Sequence, residues 1–183
     1  LLDLVIYAQH RLFHVIPFLW RFHRVHHSDP QLDASTALRF HPVEIVFSGL
    51  IKVAFVWALG VSVWGVVIFE VLLSSLALFN HANLYIPPFL ESFLSTWLIT
   101  PDVHRVHLHK QGEGRFHNFG FQLTIWDQLF GTLMRVDEKT QVEAPLGLRE
   151  LPSSARAKAW QLIQWGFSTA PNPSTISKDR EDV

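Results

Sequence analysis

The sequence predicts an all-α fold: an integral membrane helical bundle with a transmembrane hairpin and a histidine-rich helical cap on the cytoplasmic side. Three observations carry this. Residues 43–82 are almost continuously apolar, with no charged side chain from Val53 to Phe69 or from Val71 to Leu90; about 20 such residues cross a bilayer as a helix. The composition agrees, at 49% hydrophobic against 17% charged, with 7 Trp and 15 Phe, which is rich for a water-soluble domain. The histidines recur at helical spacing, as His10 and His14, as His23, His26 and His27, and as His104 and His107, and residues three or four apart share a helix face.

In chain order, residues 1–9 read as the end of a helix running into His10. Pro17 then separates two helical pieces, each with an imidazole face. Residues 28–42 are polar and bounded by Pro30 and Pro42, hence a loop, and Pro42 suits the first turn of the next helix. Residues 43–59 and 62–80 are two spans with a break near Gly60-Val61-Ser62. Glu44 and Lys52 can sit toward the interface, whereas Glu70 falls nearer mid-span and would face protein. Two spans joined by a short turn return to one membrane face, so His27, His41, His81, His104 and His107 can meet there. Arg11, Arg21, Arg24, Arg39, Arg105, Lys110 and Arg115 lie on that side and the turn carries no cation. Positive residues favour the cytoplasm. Residues 111–114 are a loop, 136–152 an irregular connection, and 168–183 a polar, disordered tail. Residues 153–167 form an amphipathic helix that either lies on the membrane through Trp160 and Trp165 or packs on the domain.

Charge and composition exclude several functions. A net charge of −1 gives no reason to expect nucleic acid, and 183 residues suit one domain. The absence of cysteine rules out disulfides, Cys-ligated zinc and iron–sulfur centres. Histidine remains. Five of the 11 fall within residues 10–27 among Leu, Phe, Ile and Trp. One buried imidazole is ordinarily satisfied by a hydrogen bond, but five are hard to satisfy singly, and a metal satisfies several at once.

The ordered words are specific. Leu19-Trp20-Arg21-Phe22-His23-Arg24-Val25-His26-His27-Ser28, Leu38-Arg39-Phe40-His41-Pro42, Thr100-Pro101-Asp102-Val103-His104-Arg105, Asn118-Phe119-Gly120-Phe121 and Trp126-Asp127-Gln128-Leu129-Phe130-Gly131-Thr132 follow one another. Together they resemble the fatty acid hydroxylase / sterol desaturase superfamily over residues 1–135. The resemblance implies a membrane-embedded di-iron enzyme that oxidises a lipid, fatty acyl or sterol-like, with dioxygen by hydroxylation or desaturation. It implies two iron ions as cofactors. With no G-x-G-x-x-G or P-loop in the chain, electrons would come from a separate reductase or redox carrier. Family members usually carry further membrane helices before this point, so a chain beginning at Leu1 without Met is expected to be N-terminally truncated.

The candidate ligands are His10, His14, His23, His26, His27, His104 and His107, with His81, which resembles a family position, as the eighth. Where the family pattern ends in two adjacent histidines, this chain has Leu108, and His117, or less readily His109, is expected to compensate. A site of neutral imidazoles calls for nearby carboxylates to orient the rings and balance charge; Asp127 is the first choice, Asp102 the second, and Asn118 could act through its amide oxygen. His41, without a partner three or four residues away, reads as a substrate-side or structural residue. Two other readings stand beside the oxygenase: a non-catalytic membrane metal-binding protein, and a degenerate pseudoenzyme of the same fold. A zinc hydrolase is disfavoured because H-E-x-x-H is absent.

Overall fold

The structure is a computed structural model, describing residues 1–109, 114–148 and 159–168. It is all-α: among the described residues there are helices, short 3-10 turns and two isolated β-bridges, but no strand. Helix α1 (Leu2–Val15) ends where Ile16 turns extended (φ −96°, ψ 112°), the conformation that a following proline imposes. Pro17 then opens α2 (Pro17–His23) at its first position. The expected helix face shared by His23, His26 and His27 does not form. α2 stops at His23, and His26 and His27 belong to a 3-10 turn, His26–Ser28.

The loop to α3 holds a second 3-10 turn, Ala34–Leu38, closed by a reciprocal cap between Asp33 and Thr36. α3 (Pro42–Ala58) starts with a proline, and the His41 ring accepts the Val43 N–H at 3.1 Å. It ends at a turn through Gly60, whose φ of 63° suits glycine. The Ser62 side chain caps α4 (Val63–Asn80). Among the described residues α4 alone is long and apolar enough to cross a membrane, and 6% of its apolar window is buried inside the protein. α3 has 17 residues and includes Glu44 and Lys52. Lys52 Nζ donates to Glu70 Oε1 at 2.7 Å, an ion pair between α3 and α4.

Four shorter helices follow. They are α5 (Pro88–Leu94), α6 (Pro101–His107) with the Thr100 hydroxyl as cap, α7 (Ile125–Leu129) and α8 (Glu138–Glu143). α8 lies where the sequence suggests irregular chain; Asp137 takes the Thr140 N–H at 2.9 Å, and that cap starts the helix. α9 (Ala159–Phe167) packs on α2: Arg21 donates to the Phe167 carbonyl, Arg24 to the Trp165 carbonyl, and His41 Nε2 to the Ile163 carbonyl at 3.0 Å. Trp160, Ile163 and Phe167 remain exposed. Residues 149–152 of the expected connection, 153–158 of the expected amphipathic helix and 169–183 of the expected tail lie outside the described residues.

The molecule buries its imidazoles at the centre. Ile6, Phe13, Trp20, Val25, Ile99, Val103, Val106 and Phe119 are buried around them, while α3 and α4 turn Leu50, Trp57 and Trp64 outward.

Candidate metal centre

Eight buried histidines converge in two groups, His10, His14, His23, His27 and His107 in one and His26, His81 and His104 in the other, with the ring nitrogens within each group inside 4.8 Å of one another. The helical spacings explain part of this. His10 and His14 stand four apart on α1 and join the same group. His104 and His107 stand three apart on α6, their rings 5.5 Å apart, and straddle the two groups. The tight 3-10 turn separates the adjacent His26 and His27 in the same way, at 5.6 Å. His81 arrives at the end of α4.

The outer nitrogens are held by acceptors. His10 Nδ1 donates to the Phe119 carbonyl at 2.9 Å, His107 Nδ1 to the His117 carbonyl at 2.7 Å, His81 Nδ1 to the Ala77 carbonyl at 2.7 Å, and His23 Nδ1 to Glu44 Oε1 at 2.6 Å. A neutral ring that carries its proton on Nδ1 has a bare lone pair on Nε2. In the first group those lone pairs face one another, with His10 Nε2 3.1 Å from both His23 Nε2 and His107 Nε2; in the second, the lone pair of His81 Nε2 lies 3.2 Å from His26 Nε2 and 3.0 Å from His104 Nε2. His10, His23 and His107 are all locked in this tautomer, so no proton is available to bridge their Nε2 atoms; His26 and His104 have no acceptor at Nδ1 and can carry the proton on either nitrogen. Two nitrogens bound to one ion at right angles, with bonds of about 2.1 Å, lie about 3.0 Å apart. The buried, partnerless Nε2 atoms of His14 and His27 complete the first set. The donor set therefore fits two metal ions.

Burial sets the charge state. It holds His10, His14, His26, His27 and His104 well below the usual imidazole range, with neighbouring rings adding to the effect, and pushes His107 down to about 3. The rings are neutral at physiological pH and ready to ligate.

The residue that sequence reading missed is Glu44. It is 5% exposed, its second oxygen has no partner, and it sits in the first turn of α3 against His23. The available signal was a carboxylate at the start of an otherwise apolar helix, costly unless it has work to do. Asp127 acts one step further out. Its Oδ1 accepts the Phe119 N–H at 2.8 Å and the Thr132 hydroxyl at 2.6 Å, and its Oδ2 accepts the Gly120 N–H at 2.7 Å. Burial raises it to about 6 against the pull of these three donors, so it is ionised at neutral pH. It thereby fixes Phe119, whose carbonyl takes the His10 proton. Gly120 leaves room for it: a Cβ there would stand 2.6 Å from Asp127 Oδ2.

Asn118 does not use its amide oxygen on a ring as expected. That oxygen accepts the Met134 N–H at 2.7 Å, and the amide nitrogen donates to the Val103 and Met134 carbonyls. With φ at 56°, Asn118 makes the turn whose flanking carbonyls, His117 and Phe119, hold His107 and His10. Asp102 lies in the first turn of α6, where its carbonyl accepts from Gln141 and its side chain borders a separate cavity. His117 and His109 join neither group. His117 contributes its backbone instead of its ring, and His109 is drawn aside by a bridge to Leu146. Leu108 packs between Leu32 and Leu146. His41 is a structural clamp between α3 and α9.

A cavity of about 280 Å³ reaches the centre, lined by His10, His23, His26 and His104 at one end and by Ile6, Phe13, Phe40, Ile45, Leu73 and Phe121 along its walls. The arrangement can hold two ions under an apolar chain.

The fatty acid hydroxylase family matches residues 1–132. Among curated relatives, the ornithine lipid hydroxylase OlsE of Rhizobium tropici is 32% identical over 127 residues, 69% of this chain and 38% of its own. The fatty acid hydroxylase vlmA of Lecanicillium sp is 31% identical over 84% of this chain and 45% of its own. Human alkylglycerol monooxygenase is 31% identical over 75% of this chain and 30% of its own. The chain thus spans less than half the length of these relatives, and no solved structure matches it. With the match over residues 1–132 and the buried histidines inside it, the chain belongs to the fatty acid hydroxylase family.

Proposed function

We propose that this chain is a membrane-bound di-iron monooxygenase that hydroxylates a C–H bond of a lipid. The observation that carries the reading is the pair of buried imidazole groups with Nε2 atoms 3.0–3.2 Å apart at the end of an apolar cavity. Two irons bound there, with dioxygen and electrons from a separate donor protein, would supply oxidation of an unactivated C–H bond. His10, His14, His23, His27 and His107 would hold one ion, and His26, His81 and His104 the other. Glu44 would orient His23 and offset part of the cationic charge, and Asp127 would hold the Phe119 carbonyl on His10. The walls of the cavity would exclude water and lay the chain across the rings. Hydroxylation is preferred to desaturation because the relatives named above are hydroxylases and a monooxygenase.

In this reading α3 and α4 form a membrane hairpin with the histidines at its cytoplasmic end, and α9 lies at the interface through Trp160, Ile163 and Phe167. The test is full-length protein in lipid nanodiscs, loaded with ferrous iron and given a reductant and isotope-labelled dioxygen. One labelled oxygen atom in a lipid product is expected. An iron-loaded, reducible protein that consumes no oxygen with any lipid extract contradicts the proposal.

A further inference from the structure

The cavity has a built far end. α1 and α3 pass along it in opposite directions: the Phe13 ring meets Phe47 at 6.2 Å, Gln9 Nε2 donates to Ser48 Oγ at 2.6 Å, and Ile6 and Lys52 line it beyond. Glu44, Ser48 and Lys52 are spaced four apart and so form one stripe on α3. Lys52 stands eight residues above Glu44 on α3, and Leu73 eight residues before His81 on α4. At 1.5 Å per residue both lie about 12 Å from the imidazole end. There Lys52 Nζ meets Glu70 Oε1 at 2.7 Å, and Glu70 is on the Leu73 face of α4, three residues farther from the histidines.

We infer that Lys52, held in place by Glu70, is the end wall of this groove and fixes the length of the straight hydrocarbon chain it accepts. The choice of a lipid chain as occupant rests on the proposed activity. The pair neutralises itself, so it offers neither a free cation nor a free anion to a headgroup. The pair is partly exposed; with α3 and α4 in the proposed membrane hairpin its open side meets lipid, where separating it is costly, so a chain that reaches it stops. Gly49 faces the same space, where a Cβ would meet nothing within 4 Å, which leaves the groove open midway.

The test is binding of straight-chain primary alcohols of eight to twenty carbons to the full chain in detergent, read by native mass spectrometry. In the wild type, affinity climbs about fourfold with each methylene and then stops at one length. Truncating both partners, Lys52→Ala with Glu70→Ala, moves the limit to longer chains, each extra methylene again adding about fourfold. Lys52→Leu with Glu70→Leu keeps the bulk but removes the cost of separating the charges, so it moves the limit less than the double alanine variant does. Gly49→Leu fills the groove and weakens all chain lengths at least about tenfold; it tests the groove if the double alanine variant does not fold. An unmoved limit in the double alanine variant, no limit in the wild type, or unaltered binding by Gly49→Leu overturns the inference. Because no turnover is needed, a chain-length limit without oxygen consumption keeps this inference and removes the proposed activity. Lipid oxidation without a limit does the reverse.

Discussion

Five imidazoles converge on one side of the centre and three on the other, and the two sides differ in support as well as in number. On the five-ring side, the Phe119 carbonyl, the His117 carbonyl and the Glu44 carboxylate hold His10, His107 and His23. On the three-ring side only His81 has such an anchor, while His26 Nδ1 and His104 Nδ1 are buried without partners and His26 is steadied by stacking on Phe40 at 4.7 Å. Oriented, charge-compensated ligands bind metal more tightly than loosely held ones. Sites with three protein ligands keep a position open for chemistry, whereas closed sites serve structure. In the proposed di-iron reading, this difference would give tight retention to the five-ring side and exchangeable coordination to the three-ring side.

Acid gives the largest effect. In the metal-free protein His10, His14, His26, His27, His104 and His107 titrate well below 6.5 in the folded state, and the unfolded chain titrates near it. Between that value and about 3, where His107 protonates, the unfolded state binds more protons. Stability is therefore fully present above pH 6.5 and falls as the pH drops, and circular dichroism should show helix loss over that window. His10, His14 and His27 on the five-ring side share this depression, so His14→Ala should make the metal-free protein less sensitive to acid.

Next comes His81→Ala, which removes one ring of three. It should lose that ion's affinity by more than about 100-fold, beyond what losing a ring's supporting partner costs, with metal analysis falling from two ions to one. Glu44→Ala should weaken the five-ring ion by about 10–100-fold, measured by chelator competition, with Glu44→Gln milder because its amide oxygen still accepts from His23. His14→Ala leaves four rings and should cost about tenfold; an effect as large as that of His81→Ala would erase the distinction between the sides. The smallest change in metal is expected from Leu108→His. Its ring would sit between Leu32 and Leu146, so iron retention should not rise, while stability falls by about 1–3 kcal/mol for the buried polar group, read by thermal unfolding.

Much of the helical framework was legible because its signals are local: Pro17 and Pro42 mark helix starts, Gly60 marks the turn, and the uncharged runs mark α3 and α4. The histidines were legible as a set because spacing of three and four puts rings on one face. Their division was not, since His26 and His27 part in a 3-10 turn and His104 and His107 point to different neighbours on one face. Backbone carbonyls leave no trace in side-chain identity, so the anchors from Ala77, His117 and Phe119 could not be read. Asn118 offered a partial clue, because Asn tolerates the left-handed backbone that aims two of them. Glu44 was passed over because a charge in an apolar run reads as a flaw until the fold brings His23 to it.

The central claim is that one chain holds two ions unequally. Full-length protein reconstituted with ferrous iron, desalted, and followed by metal analysis during stepwise chelation tests it most directly. The account predicts two irons per chain released in two phases, the first eliminated by His81→Ala and the second accelerated by Glu44→Ala. A single iron per chain, or two released together and equally affected by both substitutions, would contradict it.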